Sequence, residues 1–219
     1  MKPFSARDTL LGTLVTDPTP EAGDAYAPLH FDWLFVDGEH GAFTPENVGA
    51  YVRRAAHHTM CLVRIAVLTD AWLAAAFDGG AAGVIVPLVN DAELAARAVA
   101  AVAGRGAVVV QAETVDAVRN IEAIAATPGV AAVLVGPNDL SASLGIPGAF
   151  AREEFQRAVL EIAAGCDRAD VPKGIFGASA DAVRPWRERG FTLIVAGVDR
   201  AIGAGGSAGA AALRRALEK

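Results

Sequence analysis

Several short apolar runs in this chain end in polar residues, and those ends are where chemistry is legible. FDWLFV runs into Asp37-Gly38-Glu39-His40, Arg64 sits inside LVRIAV, AVVVQA runs through Gln111 to Glu113, VAAVLV runs into Gly136-Pro137-Asn138-Asp139, and FTLIVA runs into Gly197-Val198-Asp199. A guanidinium among apolar neighbours is costly unless paired, so Arg64 calls for a carboxylate or an anionic ligand. Glu113 and Asp139 offer the hard oxygen donors that Mg²⁺-like cations prefer, with positions left for water or substrate. His40, just past a glycine turn, has the chemistry of a general base. The Gly136–Asp139 turn leaves backbone N–H groups facing a bound anion. Each group also has a plainer reading: Glu113 and Asp139 as helix N-caps, Arg64 as a structural ion pair, His40 as a loop residue, Asp37 as an organiser of its turn. His30, His57 and His58 read as structural, the last two at a helix end where a cation suits the dipole. No His/Cys grouping has zinc spacing.

The elements that must position these groups follow from alternation. Short Val/Ile/Leu runs alternate with Ala-rich amphipathic stretches, the pattern of repeated β-α units around a parallel sheet. Strands are expected at Leu10–Val15, Phe31–Val36, Leu62–Val67, Gly83–Val89, Ala107–Ala112, Val130–Val135, Gly174–Phe176 and Phe191–Ala196. Helices are expected at Pro45–His57, Ala71–Phe77, from an Asp91 cap to Ala103, and at Val115–Ala126, Arg152–Ala164, Ala180–Arg189 and Ala208–Leu217. Eight such units favour a closed (β/α)₈ barrel over an open doubly wound sheet, and strands apolar on both faces fit it. In a barrel the strand C-termini share one mouth, so the polar ends above converge. Trp33, Trp72 and Trp186 read as core or groove aromatics. Gly203–Gly209 is a hinge or a frayed terminus.

The 219 residues suit one domain spanning 1–219, shorter than the ~250 residues usual for this barrel. A composition 53% hydrophobic and 20% charged is globular. A net charge of −6 with no basic cluster argues against nucleic acid. No apolar run reaches membrane-spanning length, and MKPFSARDTLLGTLV does not read as a signal peptide. Cys61 and Cys166 lie far apart and match no redox or metal spacing, so a reducing, cytoplasmic setting is expected.

Taken in order, FDWLFVDGEHG, VRIAV, DGGAAGVIVPLVND, VVVQAET and VLVGPNDLSASLG resemble the blocks of the HpcH/HpaI aldolases, class II pyruvate aldolases of the phosphoenolpyruvate/pyruvate barrel superfamily. The resemblance runs from about Leu11 to Asp199. It implies metal ligands at Glu113 and Asp139, a catalytic His40, a transition-state Arg64, and Asp78 as the carboxylate that raises the basicity of His40. It further implies substrate contacts from Gln111, from the Gly136-Pro137-Asn138-Asp139 turn, and from the backbone at Asn138. The cofactor implied is Mg²⁺, Mn²⁺ or Co²⁺, and the partners are a small 2-oxo acid and an aldehyde. The segment that such proteins usually carry before strand five shrinks here to Gly104-Arg105-Gly106. In the family that segment walls the site and supports a hexamer; a homo-oligomer is still expected.

The implied chemistry is reversible aldol addition and cleavage. No lysine stands at a strand end to form a Schiff base, since Lys173 precedes strand seven. Truncating Arg64 to Ala is expected to cut turnover ~10²-fold and leave the fold intact. Two other readings stand beside this one. A citramalyl- or malyl-CoA lyase of the same superfamily would need a basic cluster for the nucleotide. A non-catalytic 2-oxo-acid-binding barrel is favoured by the shortened segment and disfavoured by His40, Arg64 and Asp78.

Overall fold

A computed structural model of the protein describes residues 4–5, 7–198, 211–212 and 214–215. Eight parallel strands close on themselves in chain order: β1 Leu10–Val15, β2 Trp33–Asp37, β3 Met60–Arg64, β4 Gly83–Val86, β5 Ala107–Ala112, β6 Val130–Val135, β7 Lys173–Gly177 and β8 Leu193–Val198. Helices return the chain between them: α1 Ala22–Ala25, α2 Pro45–Ala55, α3 Asp70–Asp78, α4 Ala92–Val102, α5 Val115–Arg119, α6 Ile121–Ala125, α7 Pro137–Ser143, α8 Glu153–Arg168 and α9 Ala180–Arg187. The expected barrel is the observed one. Among the described residues no helix is long and apolar enough to cross a membrane.

Period-two alternation divides the strands into two cores. Leu34, Val36, Cys61, Val63, Val84, Val108, Val110, Val133 and Val135 face the helices. Trp33, Phe35, Leu62, Ile85, Val109, Leu134, Leu193 and Val195 fill the barrel interior. The packing there is tight: a Cβ on Gly12 would lie 2.5 Å from the Trp33 indole, so only glycine on β1 leaves room for that ring. Followed toward the strand C-termini, the inward positions run from Phe35 to Asp37, from Leu62 to Arg64, from Val109 to Gln111 and Glu113, and from Leu134 to Gly136. Strand periodicity thus delivers the polar groups to one place.

Side chains start the helices as capping chemistry requires. Asp91 accepts from Leu94 N at 2.7 Å, Thr114 from Ala117 N at 3.0 Å and Ser179 from Ala182 N at 3.3 Å.

Several boundaries differ from the sequence-based expectation. Strand three ends at Arg64 rather than at Val67, because Ile65 starts the turn into α3; Arg64 is therefore a strand end. Strand two continues through Asp37, which joins the sheet in register with Arg64. The single helix expected at Val115–Ala126 is broken at Asn120 into α5 and α6. The Gly136–Asp139 turn is the start of α7, with Pro137 in its first turn. Between α4 and β5 only residues 103–106 intervene, as read from Gly104-Arg105-Gly106. Asp199 and Gly203–Gly209 lie outside the described residues, as does most of the expected Ala208–Leu217 helix. Residues 211, 212, 214 and 215 are helical, and Arg214 pairs with Asp32 just before β2.

Candidate active site

Register does the first part of the assembly. Asp37 and Arg64 are Cα partners on neighbouring parallel strands and point the same way. The guanidinium forks onto the carboxylate, Nε to Oδ1 at 2.9 Å and Nη2 to Oδ2 at 2.8 Å. Both residues are buried, at 5% and 1% exposure, so Arg64 is paired as its position demanded. Phe35 lies beneath it, with the guanidinium carbon 5.1 Å from the ring centre. Asp37 Oδ1 also accepts the backbone N–H groups of Glu39 and His40, at 3.0 and 3.1 Å. Burial alone would raise the pKa of Asp37, but the hydrogen bond and charge of Arg64, with those two N–H groups, hold it below the ordinary value. Asp37 is thus the carboxylate that Arg64 required, a pairing visible only once strand three ends at Arg64 in register with Asp37.

Glu39 flanks the same guanidinium, its Oε2 2.9 Å from Arg64 Nη1. That is ion-pair distance, yet no donor is aligned on the buried oxygen for a hydrogen bond. Burial raises the pKa of Glu39; Arg64 and His40 pull it down, and Asp139 and Asp37 push it up. His40 is exposed and places Nε2 3.9 Å from Glu39 Oε2 and 4.0 Å from Asp139 Oδ2.

On the opposite wall Glu113 is 1% exposed. Its Oε1 accepts the Leu88 N–H at 2.8 Å, and Gln111 Nε2 donates to its Oε2. Leu88 presents that N–H from a left-handed conformation, φ 53°, which is strained for a leucine. The apolar sequence around Leu88 gave no sign of this backbone contact. A Cβ on Gly136 would lie 2.5 Å from Glu113 Oε2 and 2.6 Å from Gln111 Nε2, so glycine here leaves space for both side chains. Burial, with the nearby carboxylates of Asp139 and Glu39, pushes the pKa of Glu113 up to about 7 against the pull of Leu88 N–H and Arg64.

Leu14, Thr16, Phe35, Arg64, Gln111, Asp139 and Phe176 are among the residues around a cavity of about 260 Å³, together with Asp37, His40 and the Gly136–Asp139 segment. A larger cavity, about 570 Å³, opens at the other end of the barrel, but Ala, Gly, Val, Pro and Thr127 line it and none can titrate. The mouth is where reactive groups meet. Asp78 is the exception among the expected site residues. It ends α3, which runs back against the strands, and its carbonyl accepts from Arg53 Nη1 at 3.4 Å. That end of the helix lies toward the N-terminal rim of the barrel, so within one chain Asp78 is not brought to His40.

The donor set fits a divalent cation. Asp37, Glu39, Glu113 and Asp139 bring four carboxylates to a site with one guanidinium, and Gln111 Oε1 and Glu39 Oε2 are buried acceptors without a donor. Glu113 and Asp139, the second close enough to raise the proton affinity of the first, are carboxylates that could hold such an ion. Among the described residues no three His, Cys, Asp or Glu side chains are grouped closely enough to hold a metal ion together.

Residues 19–203 match the family described as HpcH/HpaI aldolase/citrate lyase. The chain belongs to that family. A 4-hydroxy-2-oxovalerate aldolase of Rhodococcus jostii (strain RHA1) is 31% identical over 212 positions, covering 81% of this chain and 82% of the relative. A hydroxypyruvate/pyruvate aldolase of Paraburkholderia phytofirmans (strain DSM 17436 / LMG 22146 / PsJN) is 30% identical and covers 88% of each. The crystal structure of an HpcH/HpaI aldolase/citrate lyase family protein from Burkholderia cenocepacia J2315 superposes with a TM-score of 0.84 at 28% identity, covering 96% of this chain and 94% of that one. The 212 aligned positions exceed 81% of a 219-residue chain, so the R. jostii aldolase carries positions with no counterpart in this HpcH/HpaI member.

Proposed function

We propose that this HpcH/HpaI family member is a divalent-metal-dependent class II aldolase that joins a pyruvate-type 2-oxo acid to an aldehyde and cleaves the product. The observation that carries the reading is the meeting of a fork-held Arg64, an exposed imidazole and the excess carboxylates Glu113 and Asp139 at one barrel mouth.

Glu113 and Asp139 would hold the cation, which when bound would supply Lewis acidity toward the substrate ketone. Arg64, fixed by Asp37, offers its remaining N–H bonds to charge developing on the substrate oxygen. Its position on a dry wall strengthens that interaction. His40 takes the methyl proton, a role supported by its exposure to the cavity and its closeness to Asp139. Gln111 contributes a buried amide, and the start of α7, entered through Gly136-Pro137, contributes the backbone N–H groups of Asn138 and Asp139 for the substrate carboxylate. A role for Asp78 on an imidazole requires a second copy of the chain, which fits the expectation of a homo-oligomer.

The cavity volume of about 260 Å³ suits small reactants. Among the described residues lining it, the one Lys or Arg is Arg64, already engaged by two carboxylates, so nothing favours a CoA nucleotide. Exchange of the pyruvate methyl protons in D₂O tests the proposal and separates a catalyst from a binder. Exchange is expected with Mg²⁺, Mn²⁺ or Co²⁺, to stop in excess chelator and to return when metal is restored. Undiminished exchange in chelator, or none with any of the three ions, refutes it.

A further inference from the structure

We infer that Glu39 is a positioning residue that ties His40 to Arg64, an inference that rests on the aldolase reading above. Asp37 and Arg64 already form a balanced, bidentate buried pair. Glu39 adds a second carboxylate to the same guanidinium and leaves a buried Oε2 with no aligned donor. For stability alone this addition is unfavourable, because a buried charge in excess of its partner costs more than the extra ion pair returns. What it does achieve is geometric. The turn carrying His40 is held at its backbone by Asp37 Oδ1, which accepts the N–H groups of Glu39 and His40. The Glu39 side chain then reaches back from that turn to Nη1, the one guanidinium nitrogen that Asp37 leaves open.

All three nitrogens of Arg64 are thereby engaged on the β2 side. Of the five N–H bonds an arginine carries, those left over lie on its outer edge, on Nη1 and Nη2. Asp37 fixes the plane of the group, and Glu39 binds the Nη1 corner. Glu39 Oε2 also lies 3.9 Å from His40 Nε2, so the imidazole and the guanidinium share one carboxylate. His40, with its side chain 58% exposed, otherwise has only Asp139 as a close charged neighbour among the described contacts. The separation between the proton-taking group and the charge-stabilising group is thus set by Glu39.

The test is Glu39→Gln, nearly isosteric and uncharged, in the Mg²⁺-loaded protein. Methyl-proton exchange of pyruvate gives kcat and KM, and thermal denaturation of the metal-free protein gives Tm. The expected result is a kcat lower by ~10-fold or more, because misplacing a reacting group is costly. KM should stay within about twofold and Tm should be equal or higher. A variant whose kcat stays within about twofold of wild type overturns the inference. So does one in which kcat falls only together with a lowered Tm and a raised KM, since that is the signature of a merely structural residue. A wild-type protein that does not exchange pyruvate protons overturns the aldolase reading itself, and this inference with it.

Discussion

Replacing Glu113 by Gln should make the metal-free protein more stable at pH 8 while weakening its hold on the cation. The reason is electrostatic. Burial and two nearby carboxylates raise the pKa of Glu113 from 4.5 to about 7. Because the folded state holds this proton more tightly than the unfolded chain, the associated stability is fully present below about pH 4.5. It is lost as pH rises through about 7. At about 1.4 kcal/mol per tenfold change in proton affinity, the ionised side chain costs up to about 3 kcal/mol at pH 8. Gln removes that charge and loses few contacts. Its carbonyl can keep the Leu88 N–H, and an inverted Gln111 amide can offer its now unpartnered Oε1 to the new N–H group. For a domain of this size each kcal/mol moves Tm by about 2–4 °C, so a gain of several degrees is expected at pH 8. At pH 5 it should shrink to about a quarter of that. Thermal denaturation in chelator, at both pH values, is the assay. Added Mg²⁺ should then raise the wild-type Tm by mass action and raise that of the variant less. A difference between the proteins that is equal at pH 5 and pH 8, or a variant less stable at pH 8, refutes the electrostatic account.

Arg64→Lys keeps one charge but cannot span the Asp37 fork and reach Glu39 together, so pyruvate proton exchange should fall ~10²-fold; retention of more than a fifth of wild-type exchange would remove Arg64 from the chemistry. Arg64→Ala leaves Asp37 and Glu39 buried without a cation. It should cost about 3–5 kcal/mol of stability, measurable by urea denaturation, while the fold stays intact. Gly136→Ala drives a methyl group onto Glu113 and Gln111 and should weaken Mg²⁺ binding by ~10-fold or more in a calorimetric titration. Unchanged affinity would show that the neighbours yield freely.

The barrel was legible because its strands are apolar on both faces and its helices follow capping residues such as Asp91, Thr114 and Ser179. His40, Arg64, Gln111, Asp139 and buried Glu113 came within reach of one mouth because strand ends in a closed parallel sheet have nowhere else to go. What stayed illegible depended on three-dimensional contact. Asp37 reads as a turn residue until its register with Arg64 is known. Leu88 carries no polar atom in its side chain, so its N–H contact to Glu113 depends on a left-handed backbone that composition does not encode. Asp78 follows the family pattern in sequence, yet the antiparallel return of α3 sends it toward the opposite rim.

The indole of Trp33, seated against Gly12 with Phe35 and Leu62 in the same interior cluster, makes the floor of the mouth solid, so reactants enter from the mouth and not through the barrel. Whichever molecule sits deepest must come in before its companion and depart after it. Under the proposed aldolase reaction, with the oxo acid held deepest, the oxo acid would load first and the aldehyde second, and cleavage would release them in reverse. Steady-state kinetics should accordingly follow an ordered scheme, in which the aldehyde traps the oxo acid behind it when present in excess.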